Sequence, residues 1–353
     1  GVGAAAVANG WSGYFVNTLA NFNLHLPEAL TKAPMVGGLI NLPAFGIIWL
    51  LTILLIIGVK ESARFNNIIV LIKLSTIAIF IVLASLHLNT DNWQPFMPFG
   101  WFSTLENGKN IGVLAGASLV FFAYFGFDAV STAAEEAKNP QRDLPIGLLA
   151  SLIFCTIIYI IVSALLTGIV PYTELNVSSP VAFALTKIGY TWASTLVATG
   201  VLAGLITVLL VLLYGLTRIL FAMSRDGLIP PIFSEVNPDR QTPTKIILMC
   251  GLIVSIVAGF IPLGELAETV NIGTLASFVM VCVGVIVLRI RQPNLKRPFK
   301  NPWNPLIPVL GILSCGALMA FLPATTWFRF FVWILIGIVV YFVYSIHHSK
   351  LNR

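Results

Sequence analysis

Apolar residues run along this chain in long unbroken stretches, at about 1–22, 37–58, 66–88, 110–135, 145–170, 192–222, 244–262, 266–290, 304–322 and 327–347. A bilayer core takes roughly 20 apolar residues per helical crossing, and each stretch is long enough. The runs are continuous rather than alternating, which reads as helix and not as the strands of a membrane barrel. The pattern predicts an all-α polytopic membrane protein with ten transmembrane helices. The 192–222 run exceeds one untilted crossing, and Arg218 and Arg225 in its last turns place the excess in the cytoplasm. Residues 178–188 predict a short interfacial helix. The longest connections, about 89–109 and 223–243, carry the Pro, Gly and polar residues of loops, and no long soluble domain interrupts the series.

Composition sharpens this picture. The 353 residues are 58% hydrophobic and only 10% charged, with a mean hydropathy of +0.93, whereas a soluble domain carries about 25% charged residues. Lipid is therefore the solvent for most of the surface. The net charge of +6 does not mark a nucleic-acid binder, because the charges form short clusters between apolar runs rather than one basic face. Alternate connections and the C-terminus hold Lys60, Arg64, Lys138, Arg142, Arg218, Arg225, Arg240, Lys245, Arg289, Arg291, Lys296, Arg297, Lys300, Lys350 and Arg353. The opposite connections hold only Lys32, Lys109, Lys187 and Arg329. The positive-inside rule then puts the C-terminus in the cytoplasm of an inner-membrane protein. Cys155, Cys250, Cys282 and Cys315 all lie within apolar runs and read as small buried hydrophobes. The four histidines fall at span ends or in the tail. The chain opens Gly-Val-Gly inside an apolar stretch, without a methionine, and reads as a fragment cut in mid-helix.

Ionisable groups inside spans are costly and mark function more often than in soluble proteins. Lys73 lies about two turns from the cytoplasmic end of its span, where it either snorkels to the headgroups or serves transport. Asp128 lies deeper, has no basic partner one turn away, and must face protein or water. Nearby, Gly126 sits among four phenylalanines and a tyrosine. It marks either a close helix contact or a helix broken near the midplane, whose free backbone groups can grip a zwitterion. Tyr159 offers a hydroxyl to a neighbouring helix, and Thr207 is expected to bond its own helix carbonyl. No phosphate-binding loop, zinc-protease pair, nucleophile elbow or Cys/His metal spacing is present, so neither an enzyme, a cofactor nor a metal is expected.

Four stretches add a family resemblance. They are Gly10-Trp-Ser-Gly-Tyr-Phe15, Phe121–Pro145 with its Glu-Glu-Ala-Lys-Asn-Pro-Gln-Arg-Asp-Leu-Pro, Tyr214–Pro230, and Ile272-Gly-Thr-Leu-Ala-Ser-Phe through Arg297-Pro-Phe. Together and in order, they resemble the amino acid–polyamine–organocation superfamily, nearest the bacterial members of its cationic amino acid transporter branch. The resemblance covers essentially the whole chain. It implies an inverted-repeat (LeuT-type) transporter fold of five plus five helices followed by two more. The first run falls on the family's third helix, so the first two helices are lacking here. Residues 1–88 become the remainder of the first repeat, 110–290 the second, and 304–347 the two C-terminal helices of a single transporter domain.

Carried over by residue, Lys73 takes the place of a lysine that holds the family's broken first helix through its carbonyls. Other folds of this type put a sodium ion there, so the lysine implies proton coupling. Without the first helix, Lys73 is expected to face an empty groove and gain no carbonyl ligands. Phe122 and Phe125 fall at substrate-facing and gating positions, Ala123 and Tyr124 supply backbone groups, and Asp128 and Tyr159 form a polar pair, with Thr207 in support. The 110–135 helix is expected to lose regular bonding around Phe122–Gly126. Phe125, where relatives often carry a smaller aliphatic residue, narrows the pocket toward small neutral substrates. The resulting reading is proton-coupled amino-acid uptake by alternating access, with the amino acid, protons and the bilayer as partners. Two others stand beside it: a polyamine transporter or exchanger, and a truncated product that no longer transports but partners an intact copy.

Overall fold

The computed structural model describes residues 1–58, 63–104, 110–127, 139–237, 242–294, 303 and 305–349. Each apolar stretch carries a helix: α1 Val2–Asn21, α2 Leu42–Ile57, α3 Ala63–Ser85, α4 Val113–Val120, α5 Pro140–Ile169, α7 Thr191–Arg225, α8 Thr244–Phe260, α9 Leu263–Arg291, α10 Leu306–Ala320 and α11 Ala324–Val340. The expected short helix is α6, Pro180–Lys187. Among the described residues, five segments are long and apolar enough to cross a membrane, namely Asn67–Ser85, Pro140–Ile169, Thr191–Arg225, Leu263–Arg291 and Ala324–His348. Leu42–Ile57, Val113–Tyr124, Thr244–Phe260 and Leu306–Ala320 are apolar but shorter.

Local chemistry explains the shortening. α2 begins at Leu42 rather than 37 because Gly37 is left-handed, at φ 87°. Asn41 then caps the helix by accepting from Ala44 N at 3.2 Å, ahead of Pro43 in the first turn. The 110–135 stretch opens with strand rather than helix, since β2 (Asn110–Ile111) pairs antiparallel with β1 (Ser103–Thr104).

The chain divides into two compact units. The first comprises Gly1–Gln94, Ile160–Leu266 and Leu335–Arg353. Its axis is α7, whose 35 residues span about 52 Å and pack against α1, α3, α6 and α8. α1 approaches closely because its buried face is Gly3, Ala4, Ala5, Ala6 and Ala8, and small residues let membrane helices touch backbone to backbone. A buried polar knot then ties α1, α2 and α8 together. Ser12 Oγ donates to Asn41 Oδ1 at 2.6 Å, Asn41 Nδ2 donates to Asn9 Oδ1 at 2.9 Å, and Asn9 Nδ2 donates to Ala258 O at 3.0 Å. At the other end of this unit a π-helical turn, Tyr341–Ser345, seats the C-terminal segment beside the loop after α7. Ser345 Oγ donates to Leu228 O at 2.8 Å. The loop residue Gly227 is left-handed at φ 82° and so close that a Cβ there would lie 2.2 Å from His348 O.

The second unit comprises Pro95–Tyr159 and Ala267–Ile334. α4 packs on α10, and the core is Ile272, Leu275, Met319 and Leu322 with Phe121, Trp327 and Phe330 around it. Trp327 Nε1 donates to Met319 O at 3.1 Å, and Thr326 Oγ1 to Glu268 Oε2 at 2.8 Å.

Candidate functional site

In the second unit α4 is only eight residues long. It tightens into a 3₁₀ turn at Phe121–Tyr124, Phe125 leaves the helical region at φ −62°, ψ 133°, and Gly126 is left-handed at φ 102°. Phe125 N bonds back only three residues, to Phe122 O at 3.1 Å. The helix thus breaks where expected, and glycine is the residue that tolerates this φ. Around the break, Phe122 and Phe125 stack nearly parallel, with centroids 6.2 Å apart at 4°. Tyr159 on α5 donates its hydroxyl to Ala123 O at 3.0 Å. Its ring meets Tyr124 edge-on at 5.4 Å, and Tyr124 Oη donates to Thr156 Oγ1 at 3.1 Å. Ala123, Tyr124 and Tyr159 therefore meet in one place, held by two tyrosine hydroxyls on α5 and the break. Asp128 lies outside the described residues.

In the first unit, Lys73 on α3 and Thr207 on α7 come together across 134 residues of sequence. The stem of Lys73 lies on Gly204, where a Cβ would be 2.8 Å from Lys73 Cε. One turn further, Thr207 Oγ1 accepts from Lys73 Nζ at 3.0 Å and donates to Gly204 O at 2.8 Å. The expectation for Lys73 did not include this hydroxyl partner. Glycine at 204 lets the lysine lie flat on α7, and the hydroxyl is within reach. Lys73 has one hydroxyl and no carbonyl as hydrogen-bond partner among the described residues, so its ammonium keeps donors to spare. Next to it, Thr76 sits on Gly200, and its Oγ1 donates to Lys73 O at 2.7 Å. Gly200 and Gly204 form the small-xxx-small pattern of close membrane helix contacts.

Asn271 on α9 carries neither a charge nor a hydroxyl, so the pattern of ionisable groups and hydroxyls in the spans does not mark it. It is fully buried and donates through Nδ2 to Ser118 O at 2.8 Å and Leu119 O at 3.0 Å. An amide within an apolar run was the available signal. Among the described residues, no three His, Cys, Asp or Glu side chains are placed to hold a metal, and the four cysteines are unbridged.

Residues 2–347 match the amino acid permease family. The chain is 48% identical over 354 residues to the methylthioribose transporter of Bacillus subtilis (strain 168), covering 100% of this chain and 75% of that protein. It is 49% identical over 354 residues to the branched-chain amino acid permease BcaP of the same organism, covering 99% of this chain and 74% of that protein. It is 37% identical over 299 residues to the vacuolar cationic amino acid transporter 4 of Arabidopsis thaliana, covering 83% and 48% respectively. With an interrupted apolar helix, helices long enough to cross a bilayer and a family match along nearly its whole length, the chain belongs to the amino acid permease family of the amino acid–polyamine–organocation superfamily, as a multi-pass membrane transporter and not an enzyme.

Proposed function

We propose that this permease takes up small neutral amino acids with aliphatic side chains, coupled to protons, by alternating access of its inverted repeats. The interrupted helix Val113–Gly126 carries the reading. Inside a bilayer a helix ends only where its freed backbone groups find protein, water or ligand, and such ends are where transporters of this kind hold the charged groups of a substrate. The parallel rings of Phe122 and Phe125 supply an apolar wall suited to a branched side chain. This agrees with the name of the branched-chain amino acid permease to which the chain is similar. Tyr159 supplies a polar group beside the break, and the family resemblance assigns Asp128 as its polar partner. Lys73 is the coupling residue, with Thr207 as the acceptor that holds its ammonium; losing the proton removes the charge and weakens that bond, which ties proton release to substrate release. The chain spans the plasma membrane ten times with its C-terminus in the cytoplasm, as the distribution of positive residues indicates.

The test is uptake of labelled leucine into proteoliposomes under an imposed pH gradient, for the parent and Lys73→Met. Accumulation should follow the gradient in the parent and collapse to equilibration in the variant. Gradient-driven accumulation at the parent rate in Lys73→Met would leave Lys73 a snorkelling anchor. Labelled methylthioribose is the competitor substrate, because a relative of equal similarity carries that name; its uptake in place of leucine would overturn the substrate assignment but not the coupling.

A further inference from the structure

A helix that stops inside a membrane leaves its last carbonyls without backbone donors. In α4 a side chain from another helix serves this end: Asn271 donates one amide hydrogen to Ser118 O at 2.8 Å and the other to Leu119 O at 3.0 Å, the latter beside a backbone N–H of the cap. In an unbroken α-helix these oxygens would belong to the N–H groups of residues 122 and 123. Asn271 thus takes the place of the α-helical donor that the break withdraws from Ser118 O and adds a second donor at Leu119 O, which a cap N–H already reaches. Its own Oδ1 is buried and has no partner among the described residues, although buried acceptors are normally satisfied. Ile272 and Leu275 beside it are core residues, so packing alone would favour a leucine here. The amide is worth its orphaned oxygen only through what its donor half does.

We propose that Asn271 is a positioning residue of the transport site, one that ends α4 at Val120 and so sets where Ala123 O and the Phe122–Phe125 pair stand. This rests on reading the break as the substrate site. The experiment measures leucine binding and the KM and Vmax of leucine uptake, with melting temperature in detergent, for the parent, Asn271→Leu and Asn271→Asp. Leucine keeps the size and removes both donors. The variant should melt no lower than the parent while KM rises about tenfold and Vmax changes little. Aspartate keeps the shape but cannot donate while ionised and regains one donor when protonated. Its binding relative to the parent should therefore be poor at neutral pH and improve as pH falls, a response that a purely structural role would not produce. A parental KM in Asn271→Leu overturns the assignment. So does a lowered melting temperature with unchanged KM. Should Asn271→Leu not fold, a flat Asn271→Asp to parent ratio across pH overturns it. If the parent itself binds no leucine, the site reading falls and takes this assignment with it; if the parent binds and both variants match it, only this assignment falls.

Discussion

A single methyl group added at Gly204 separates the packing role of Lys73 from its chemical one. A Cβ there would stand 2.8 Å from Lys73 Cε, 3.1 Å from Cγ and 3.3 Å from Cδ. Those atoms belong to a flexible stem, which can swing aside, but swinging carries Nζ away from Thr207 Oγ1, now 3.0 Å distant. One turn earlier, a methyl at Gly200 would stand 2.3 Å from Thr76 Cγ2 and 3.2 Å from Thr76 Cβ. Thr76 is β-branched, stiff at χ1 and fixed by its bond to Lys73 O, so it cannot give. Alanine gains up to about 1 kcal/mol over glycine in a helix interior, and overpacking costs about 1–3 kcal/mol. Gly204→Ala should therefore be nearly neutral in stability and Gly200→Ala should lose about 1–2 kcal/mol. Function should rank them the other way. The displaced hydrogen bond is worth between about 0.6 kcal/mol, the mean measured inside a membrane, and about 1.5 kcal/mol for a charged donor. That is roughly three- to tenfold in gradient-driven leucine uptake. Denaturant unfolding in detergent reads the first quantity and proteoliposome uptake the second. In Gly204→Ala combined with Lys73→Met the methyl should cost nothing further, because the contact it disturbs is gone. Parental uptake and pH response in Gly204→Ala, or equal stability losses at both glycines, would refute the reasoning.

Tyr159→Phe removes the donor to Ala123 O while keeping the ring against Tyr124. At about 1 kcal/mol for the bond, KM for leucine should rise roughly fivefold with little change in melting temperature. Asn41→Leu removes the cap of α2 and the centre of the Asn9–Ser12–Asn41 knot, so unfolding in detergent should show a loss of about 2–3 kcal/mol. Outside the spans, Lys32 holds the Glu28 carboxyl below its usual range through a 2.8 Å hydrogen bond and its charge. A depressed carboxyl stabilises above its unfolded pKa, and that contribution is lost as pH falls through the folded value. Because both groups are exposed, Lys32→Met should raise the Glu28 titration midpoint seen by NMR yet leave the melting temperature at neutral pH unmoved.

Helix positions were legible where continuous apolarity decides them: the 192–222 and 178–188 readings differ from α7 and α6 by only a few residues. The start of α2 was not, because it depends on the left-handed turn at Gly37 and the cap at Asn41, both local and invisible to an apolar count. The two-residue ladder before α4 was missed for the same reason. Gly126 could be suspected as a break from its place in the sequence, but a glycine at a helix contact looks identical until its φ of 102° is known. Contacts such as Lys73–Thr207 and Asn271–Ser118 join residues 134 and 153 positions apart. Spacing along one helix carries no information about which hydroxyl or carbonyl another helix will present.

The length of α7 gives the Lys73 contact mechanical reach. From Gly204 to Arg225 the helix runs on without interruption, a lever arm of about 32 Å. A tilt of about 10° pivoting at Gly204 would sweep its far end through about 5 Å. That end adjoins the loop at Gly227 and Leu228, on which Ser345 and His348 are seated. A fluorophore on this loop would thus act as a pointer for an event at the lysine, magnified to a distance that optical methods resolve while the lysine itself moves by a fraction of a side chain.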